Sequence, residues 1–152
     1  SDPAMAEKVV AALAELGCEH ALVFHGHDGL DELTTTTTSA VWELYGGGVR
    51  TFVLDPTLLG IPRAEPGDLR GGGPVRNAEV AIDVLSGAKG PARDIVVLNA
   101  AAALVAAGVI AGFAEGIEAA AASLAEGRAA AALERLVAQS GAGAGESDSP
   151  GP

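Results

Sequence analysis

The chain has little aromatic side-chain mass for its length. Aromatic residues make up 3% of the 152 residues, whereas hydrophobic residues make up 49%. The apolar mass is therefore mostly Ala, Val and Leu, and these small side chains favour close packing of helices over a large aromatic core. A chain of this length is long enough for one domain with a core of its own.

Basic residues are also scarce. Nine Lys and Arg residues stand against 20 Asp and Glu residues, so the formal net charge at pH 7 is -11. This charge repels nucleic acid and anionic membrane surfaces, and neither is expected as a partner. An anionic ligand therefore needs local help from a bound cation, a helix N-terminus or a few placed arginines.

Cysteine occurs once, at Cys18. An intrachain disulfide is excluded, and a reducing compartment such as the cytoplasm is expected. The apolar stretch from Ile95 to Ile110 includes Asn99 and is shorter than the ~20 residues that a bilayer span needs. The N-terminus lacks a basic region followed by an apolar one, so no secretion signal is expected.

The first half of the chain alternates between a helical pattern and strand patterns. Apolar positions predict a helix over Met5–Leu16, and a short apolar run predicts a buried strand over Ala21–Phe24. Two β-rich segments, Ser39–Tyr45 and Val49–Leu54, flank a glycine turn and predict a β-hairpin. The stretch from Gly60 to Pro74 is rich in Gly and Pro, which indicates a surface loop.

The second half is predicted to be helical up to a polar tail. Helical spacing recurs in four segments, around residues 78–85, 95–105, 113–124 and 133–137. Residues 140–152 contain only small, polar and acidic residues, and they are predicted to be a disordered tail. Residues 1–5 are either a cloning remnant or native sequence, which leaves 6–139 as the α/β portion. Three strands make a small sheet, which predicts completion by other sequence or by another chain.

An acidic segment directly follows the predicted buried strand. Asp28, Asp31 and Glu32 lie within five residues, and Gly29 permits a tight turn. Ligands of open α/β sheets bind beyond the carboxyl ends of strands, and magnesium is typically held by one or two carboxylates, waters and substrate phosphates. The alternative is a solvated turn in which Asp28 caps a helix and Asp31 lies in its first turn.

Three other candidate sites have simpler interpretations beside the functional one. His25 and His27 form a pair that can bind zinc, but no third ligand lies at a convincing spacing, which favours solvated or backbone-bonded imidazoles. The glycines at 71–73, between Arg70 and Arg76, could cradle a phosphate, although a flexible linker explains them better. The hydroxyls of 34–38 could face a substrate, and exposed strand-forming residues explain them equally well.

The residues of this acidic segment resemble a known family. The run HALVFHGHDGLDEL, residues 20–33, is similar to the signature H-G-x-D-G-L-D-E of anthranilate phosphoribosyltransferases. The similarity continues through LDPTLLGIPR, residues 54–63, and through KGPARDIVVLNAAAAL, residues 89–104. It covers nearly all of the chain from Ala6 to Val137.

The resemblance implies a fold, a reaction and a metal site. The implied fold is the C-terminal part of the α/β catalytic domain shared by nucleoside phosphorylases and phosphoribosyltransferases: a central sheet with a β-hairpin and flanking helices. The implied reaction transfers phosphoribosyl from phosphoribosyl diphosphate to anthranilate in tryptophan biosynthesis. Asp31 and Glu32 match the acidic pair that binds Mg²⁺ in that family, whereas Asp28, Gly26 and Gly29 match positions that shape the loop.

Parts of the family pattern have no counterpart in these residues. They are the G-T-G-G-D loop, the K-H-G-N-R segment and the N-terminal helical domain that builds the family's homodimer. The 152 residues are therefore expected to be inactive alone. The alternatives are a related phosphoribosyltransferase or pyrimidine nucleoside phosphorylase with another nucleophile, and a non-catalytic binding module that retains the acidic segment.

Overall fold

A computed structural model describes residues 3–143 of the chain as a three-stranded sheet and five helices. The order of elements is α1 (Pro3–Glu15), β1 (His20–Gly26), β2 (Ser39–Tyr45), β3 (Gly48–Leu54), a 3₁₀ turn (Pro56–Leu59), α2 (Pro74–Leu85), α3 (Pro91–Ala106), α4 (Phe113–Ala125) and α5 (Arg128–Gly143). The predicted α/β class with a hairpin and flanking helices is confirmed.

Most element boundaries follow the predicted ones, and the C-terminal helix is longer. The hairpin turns at Gly46 and Gly47, both with positive φ, a conformation that glycine adopts without strain. The helix α5 continues to Gly143 and so enters the segment predicted to be a disordered tail. The rest of that predicted tail, 144–152, lies outside the described residues, as do residues 1 and 2 of the possible cloning remnant.

The sheet is antiparallel, with β2 between β1 and β3. Successive side chains of a strand point to opposite faces, so each face has its own core. On one face, α1 packs against β2 through Val10, Trp42 and Leu44. On the other face, Leu98 of α3 joins a core that includes Val41.

The strand β1 was predicted to be buried, and this prediction is wrong for most of its length. Residues 20–24 are half-buried, and only His25 and Gly26 at its C-terminal end are buried. The reason is that β1 is an edge strand among the described residues, so its apolar side chains have a neighbouring strand on one side only.

The helices α3 and α4 approach each other through small residues. A Cβ atom added at Gly116 would lie 2.9 Å from Cβ and 3.0 Å from Cα of Ala101. Only glycine fits at this distance, which confirms the prediction that small side chains allow close helix packing. Among residues 3–143, no helix is long and apolar enough to cross a lipid bilayer.

Candidate functional site

The acidic segment forms part of a loop that connects β1 to β2. Residues 27–38 contain no regular helix or strand. Two backbone hydrogen bonds close the base of the loop: Gly26 N donates to Leu30 O at 3.0 Å, and His27 N donates to Thr38 O at 3.0 Å. Gly29 has φ of +96°, which glycine tolerates and other residues rarely adopt. The loop therefore has a defined shape at the C-terminal end of β1.

Asp28 holds this shape together with its carboxylate. Oδ2 accepts hydrogen bonds from the hydroxyl of Thr34, at 2.5 Å, and from the hydroxyl of Thr36, while Oδ1 accepts one from Leu30 N at 3.2 Å. Burial acts to raise the pKa of Asp28, but these hydrogen bonds outweigh it and lower the pKa below its usual value. The interpretation of Asp28 as a helix cap is wrong, because no helix follows it.

Gly26 lies against Asp28, where a side chain does not fit. A Cβ atom added at Gly26 would lie 2.5 Å from Oδ1 of Asp28 and 3.2 Å from Cγ2 of Thr34. The glycine that ends β1 therefore allows the Asp28 carboxylate to fold back against the strand. This contact agrees with the structural role expected for both residues.

The threonines of 34–38 were interpreted as a substrate-side hydroxyl cluster or as exposed strand-forming residues. Thr34 and Thr35 are instead fully buried, at 0% exposure. Thr34 donates its hydroxyl to Asp28, and Thr34 N donates to Oγ of buried Ser39 at 3.1 Å. Thr34 is thus an internal support of the loop. The prediction of exposure is wrong, because the first two threonines are buried and residues 36–38 are half-buried.

Asp31 and Glu32 lie on the outer side of this supported loop, and both are exposed. Among the described residues, no group of three or more His, Cys, Asp and Glu side chains could hold a metal ion. A pair of exposed carboxylates nevertheless suits magnesium, which keeps several waters and takes its remaining ligands from substrate phosphates. The carboxylate of Asp28 is occupied by its own hydrogen bonds and is not part of this pair.

Asn99 of α3 holds the C-terminal side of the loop, and the sequence pattern did not identify it. Leu33 N donates to Oδ1 of Asn99 at 3.0 Å, and Nδ2 of Asn99 donates to Leu33 O at 2.8 Å. Leu33 is fully buried in the core between the sheet and α3. The residue that follows Glu32 is therefore fixed through both its side chain and its main chain.

The remaining candidates are engaged in local contacts. Nδ1 of His27 lies 2.7 Å from the hydroxyl of Thr38, and His25 is buried at the end of β1. In the glycine segment, Gly72 N donates to Oδ1 of Asn77 at 2.7 Å, so this N–H is already satisfied. An apolar cavity of about 580 Å³ lies among helices α2 to α5 and includes no residue of the acidic loop.

The sequence that forms this fold and its acidic loop matches a known protein family. Residues 1–130 match the family model described as glycosyl transferase family, a/b domain. The match extends over most of the chain, and the chain belongs to this family.

Within the family, the chain is similar to anthranilate phosphoribosyltransferases. It is 50% identical over 138 residues to the anthranilate phosphoribosyltransferase of Methylobacterium nodulans, a match that covers 91% of this chain and 41% of the relative. It is also 50% identical over 135 residues to that of Syntrophobacter fumaroxidans. The predicted resemblance is confirmed, and the chain spans about 40% of the length of these relatives.

Solved structures give the same likeness in three dimensions. The crystal structure of anthranilate phosphoribosyltransferase from Thermus thermophilus matches with a TM-score of 0.81 and 40% identity, over 90% of this chain and 40% of that one. The Saccharomyces cerevisiae enzyme in complex with PRPP and Mg matches with a TM-score of 0.78 and 28% identity, over 88% of this chain and 39% of that one.

Proposed function

We propose that this chain is the part of an anthranilate phosphoribosyltransferase that holds magnesium on phosphoribosyl diphosphate, through Asp31 and Glu32. The observation that carries the proposal is the exposed carboxylate pair on a loop that is held on both sides of the pair, by the Asp28 carboxylate and by the bond from Leu33 N to Asn99. The relatives named above support the reaction, and the yeast structure with PRPP and Mg supports the ligands.

In the proposed reaction, the phosphoribosyl group moves from the diphosphate to the amine of anthranilate. The amine nitrogen of anthranilate forms a bond to C1 of the ribose, the bond from C1 to the diphosphate oxygen breaks, and the diphosphate leaves with the electron pair. The amine then releases a proton. Magnesium, when bound, neutralises charge on the departing diphosphate.

The residues of this chain contribute position rather than covalent chemistry. Asp31 and Glu32 offer carboxylate oxygens at the loop surface, and Asp28 and Asn99 keep the main chain on either side in place. At neutral pH the carboxylates alone repel a diphosphate, so the pair favours this ligand only with a divalent cation between them.

The proposal predicts that the charge of the pair is essential for turnover. In the full-length protein, Asp31→Asn combined with Glu32→Gln should lower kcat/KM by about 10²-fold or more, because removing a group that stabilises transition-state charge has effects of this size. The measurement is the loss of anthranilate fluorescence after addition of phosphoribosyl diphosphate and Mg²⁺.

A matched control separates the pair from the overall charge. The control variant carries Glu7→Gln and Glu15→Gln on α1. It also removes two negative charges, from exposed positions outside the loop, and it should leave turnover unchanged. Full activity of the Asp31 and Glu32 double variant would overturn the metal assignment. If the unsubstituted full-length protein consumes no anthranilate, the alternatives are a related transferase, a nucleoside phosphorylase or a non-catalytic binding module.

A further inference from the structure

The side chain of Asn99 makes three hydrogen bonds with the main chain, and two of them are reciprocal bonds to one residue. Oδ1 accepts from Leu33 N at 3.0 Å, and Nδ2 donates to Leu33 O at 2.8 Å. The second proton of Nδ2 is donated to Ile95 O, one helical turn earlier, at 2.9 Å. Both donors of the amide and its acceptor are thereby used within the protein.

This bonding pattern demands asparagine. The main chain of Leu33 presents one donor and one acceptor, and the asparagine amide presents the complementary acceptor and donor. Aspartate cannot donate to the two carbonyl oxygens, and an aliphatic residue of similar size leaves the main chain of buried Leu33 without partners. The amide orientation follows from the two main-chain groups, since the opposite orientation would set donor against donor.

The acidic pair lies between two fixed points of the main chain. On the N-terminal side, Leu30 N donates to the Asp28 carboxylate. On the C-terminal side, Leu33 is held by its buried side chain and by the Asn99 amide. Only Asp31 and Glu32 separate these points, so the position of Leu33 limits where the two carboxylates can reach.

We propose that Asn99 is a positioning residue for magnesium, acting on the acidic pair through the main chain of Leu33. This inference rests on the proposed function of Asp31 and Glu32. Magnesium requires near-octahedral ligands at about 2.0–2.1 Å, so a small shift of the loop reduces binding. Replacing a residue that orients the metal ligands without binding the metal itself typically lowers metal affinity by about 10–100-fold.

The direct test is metal affinity in the full-length protein with phosphoribosyl diphosphate present. Mn²⁺ is the probe, and its free concentration is followed by electron paramagnetic resonance. Asn99→Leu should weaken Mn²⁺ binding by about 10-fold or more. Asn99→Asp should also weaken it, although a new negative charge by itself favours a cation. In both variants the Leu33 amide should exchange its hydrogen faster.

A second asparagine provides the control for the loss of a structural tether. Asn77 accepts a hydrogen bond from Gly72 N with its side chain and lies outside the acidic loop. Asn77→Leu should leave Mn²⁺ affinity unchanged even if it lowers the melting temperature. Binding is compared at a temperature at which circular dichroism shows every variant to be folded.

The outcomes separate this inference from the proposed function. If Asp31→Asn with Glu32→Gln abolishes Mn²⁺ binding while either folded Asn99 variant binds as tightly as the parent, Asn99 has no positioning role. If the double variant also binds Mn²⁺ normally, the metal assignment itself is wrong. Without any substitution, addition of Mg²⁺ should shift the side-chain amide resonance of Asn99 and not that of Asn77, and an unshifted Asn99 resonance overturns the inference.

Discussion

Ionisation of the Asp28 carboxylate makes the stability of the folded chain depend on pH. The hydrogen bonds from Thr34, Thr36 and the main chain favour the ionised form more than burial disfavours it, and they lower the pKa of Asp28 below its usual value of 3.8. The unfolded chain therefore binds a proton on Asp28 at a higher pH than the folded chain does. The resulting stabilisation of the folded chain is present above pH 3.8, and it is lost as the pH falls through the pKa of Asp28 in the folded state.

Replacing Asp28 should reduce this acid dependence. Asp28→Asn is expected to lower the free energy of unfolding at neutral pH and to make it fall less steeply as the pH decreases below about 4. Thr36→Val replaces the hydroxyl that donates to Asp28 by a methyl group of similar size, and it should have part of the same effect. The measurement is urea unfolding over a series of pH values. An undiminished slope in Asp28→Asn would contradict the role of the carboxylate.

Residue patterns identify side chains that act locally, and they miss those that act across the fold. The proximity of Asp31 and Glu32 to a strand end suggests a metal site directly, although their role stays a prediction. Asn99 gives no such signal, because its partner is a main-chain group 66 residues away in sequence. The burial of Thr34 was also unpredictable, because its hydroxyl is satisfied inside the protein through bonds with Asp28 and Thr36 that the folded loop creates.

At the scale of elements, one buried carboxylate joins all three strands. Glu43 of β2 has a side chain only 8% exposed, and it accepts hydrogen bonds from His20 of β1 at 3.1 Å and from Nε of Arg50 of β3 at 2.6 Å. Cross-strand pairs of this kind stabilise a sheet. A buried carboxylate with good partners is costly to disturb, because each partner is left without its bond.

Glu43→Gln tests this link with little change in shape. The neutral amide loses the charge that Arg50 faces, and we expect the free energy of unfolding to fall by about 1–3 kcal/mol. Glu126→Gln removes the carboxylate of an exposed pair with Arg128, and it should change stability by less than about 1 kcal/mol. Chemical denaturation of both variants gives the comparison. Equal losses would mean that burial of Glu43 adds nothing to the interaction.

Periodicity predicts which elements form, and it predicts their burial less well. The hairpin and the helices follow from glycine turns and apolar spacing, because these signals lie within a few neighbouring residues. The burial of β1 depends instead on which strands lie beside it. Its run of Ala, Leu, Val and Phe is typical of a central strand, yet it has a neighbour on one side only among the described residues.

At the scale of the whole molecule, the proposed function assigns one side of a diphosphate site to the described residues. The acidic pair and a net charge of -11 repel any diphosphate unless a divalent cation intervenes. The chain spans about 40% of its relatives, and the sequence has no counterpart of the G-T-G-G-D loop of the family it resembles. Stabilisation of a leaving diphosphate also requires donors aimed at its oxygen atoms.

These 152 residues alone should therefore not catalyse the transfer. With phosphoribosyl diphosphate, Mg²⁺ and anthranilate, we expect no loss of anthranilate fluorescence above that of a sample without protein. The proposed function requires, by contrast, that the full-length protein consume anthranilate under the same conditions. Circular dichroism of the short chain establishes whether its helices have formed in the same sample. Turnover by the folded short chain would mean that the acidic loop and its supports suffice, because no other donors would then be needed to stabilise the leaving group.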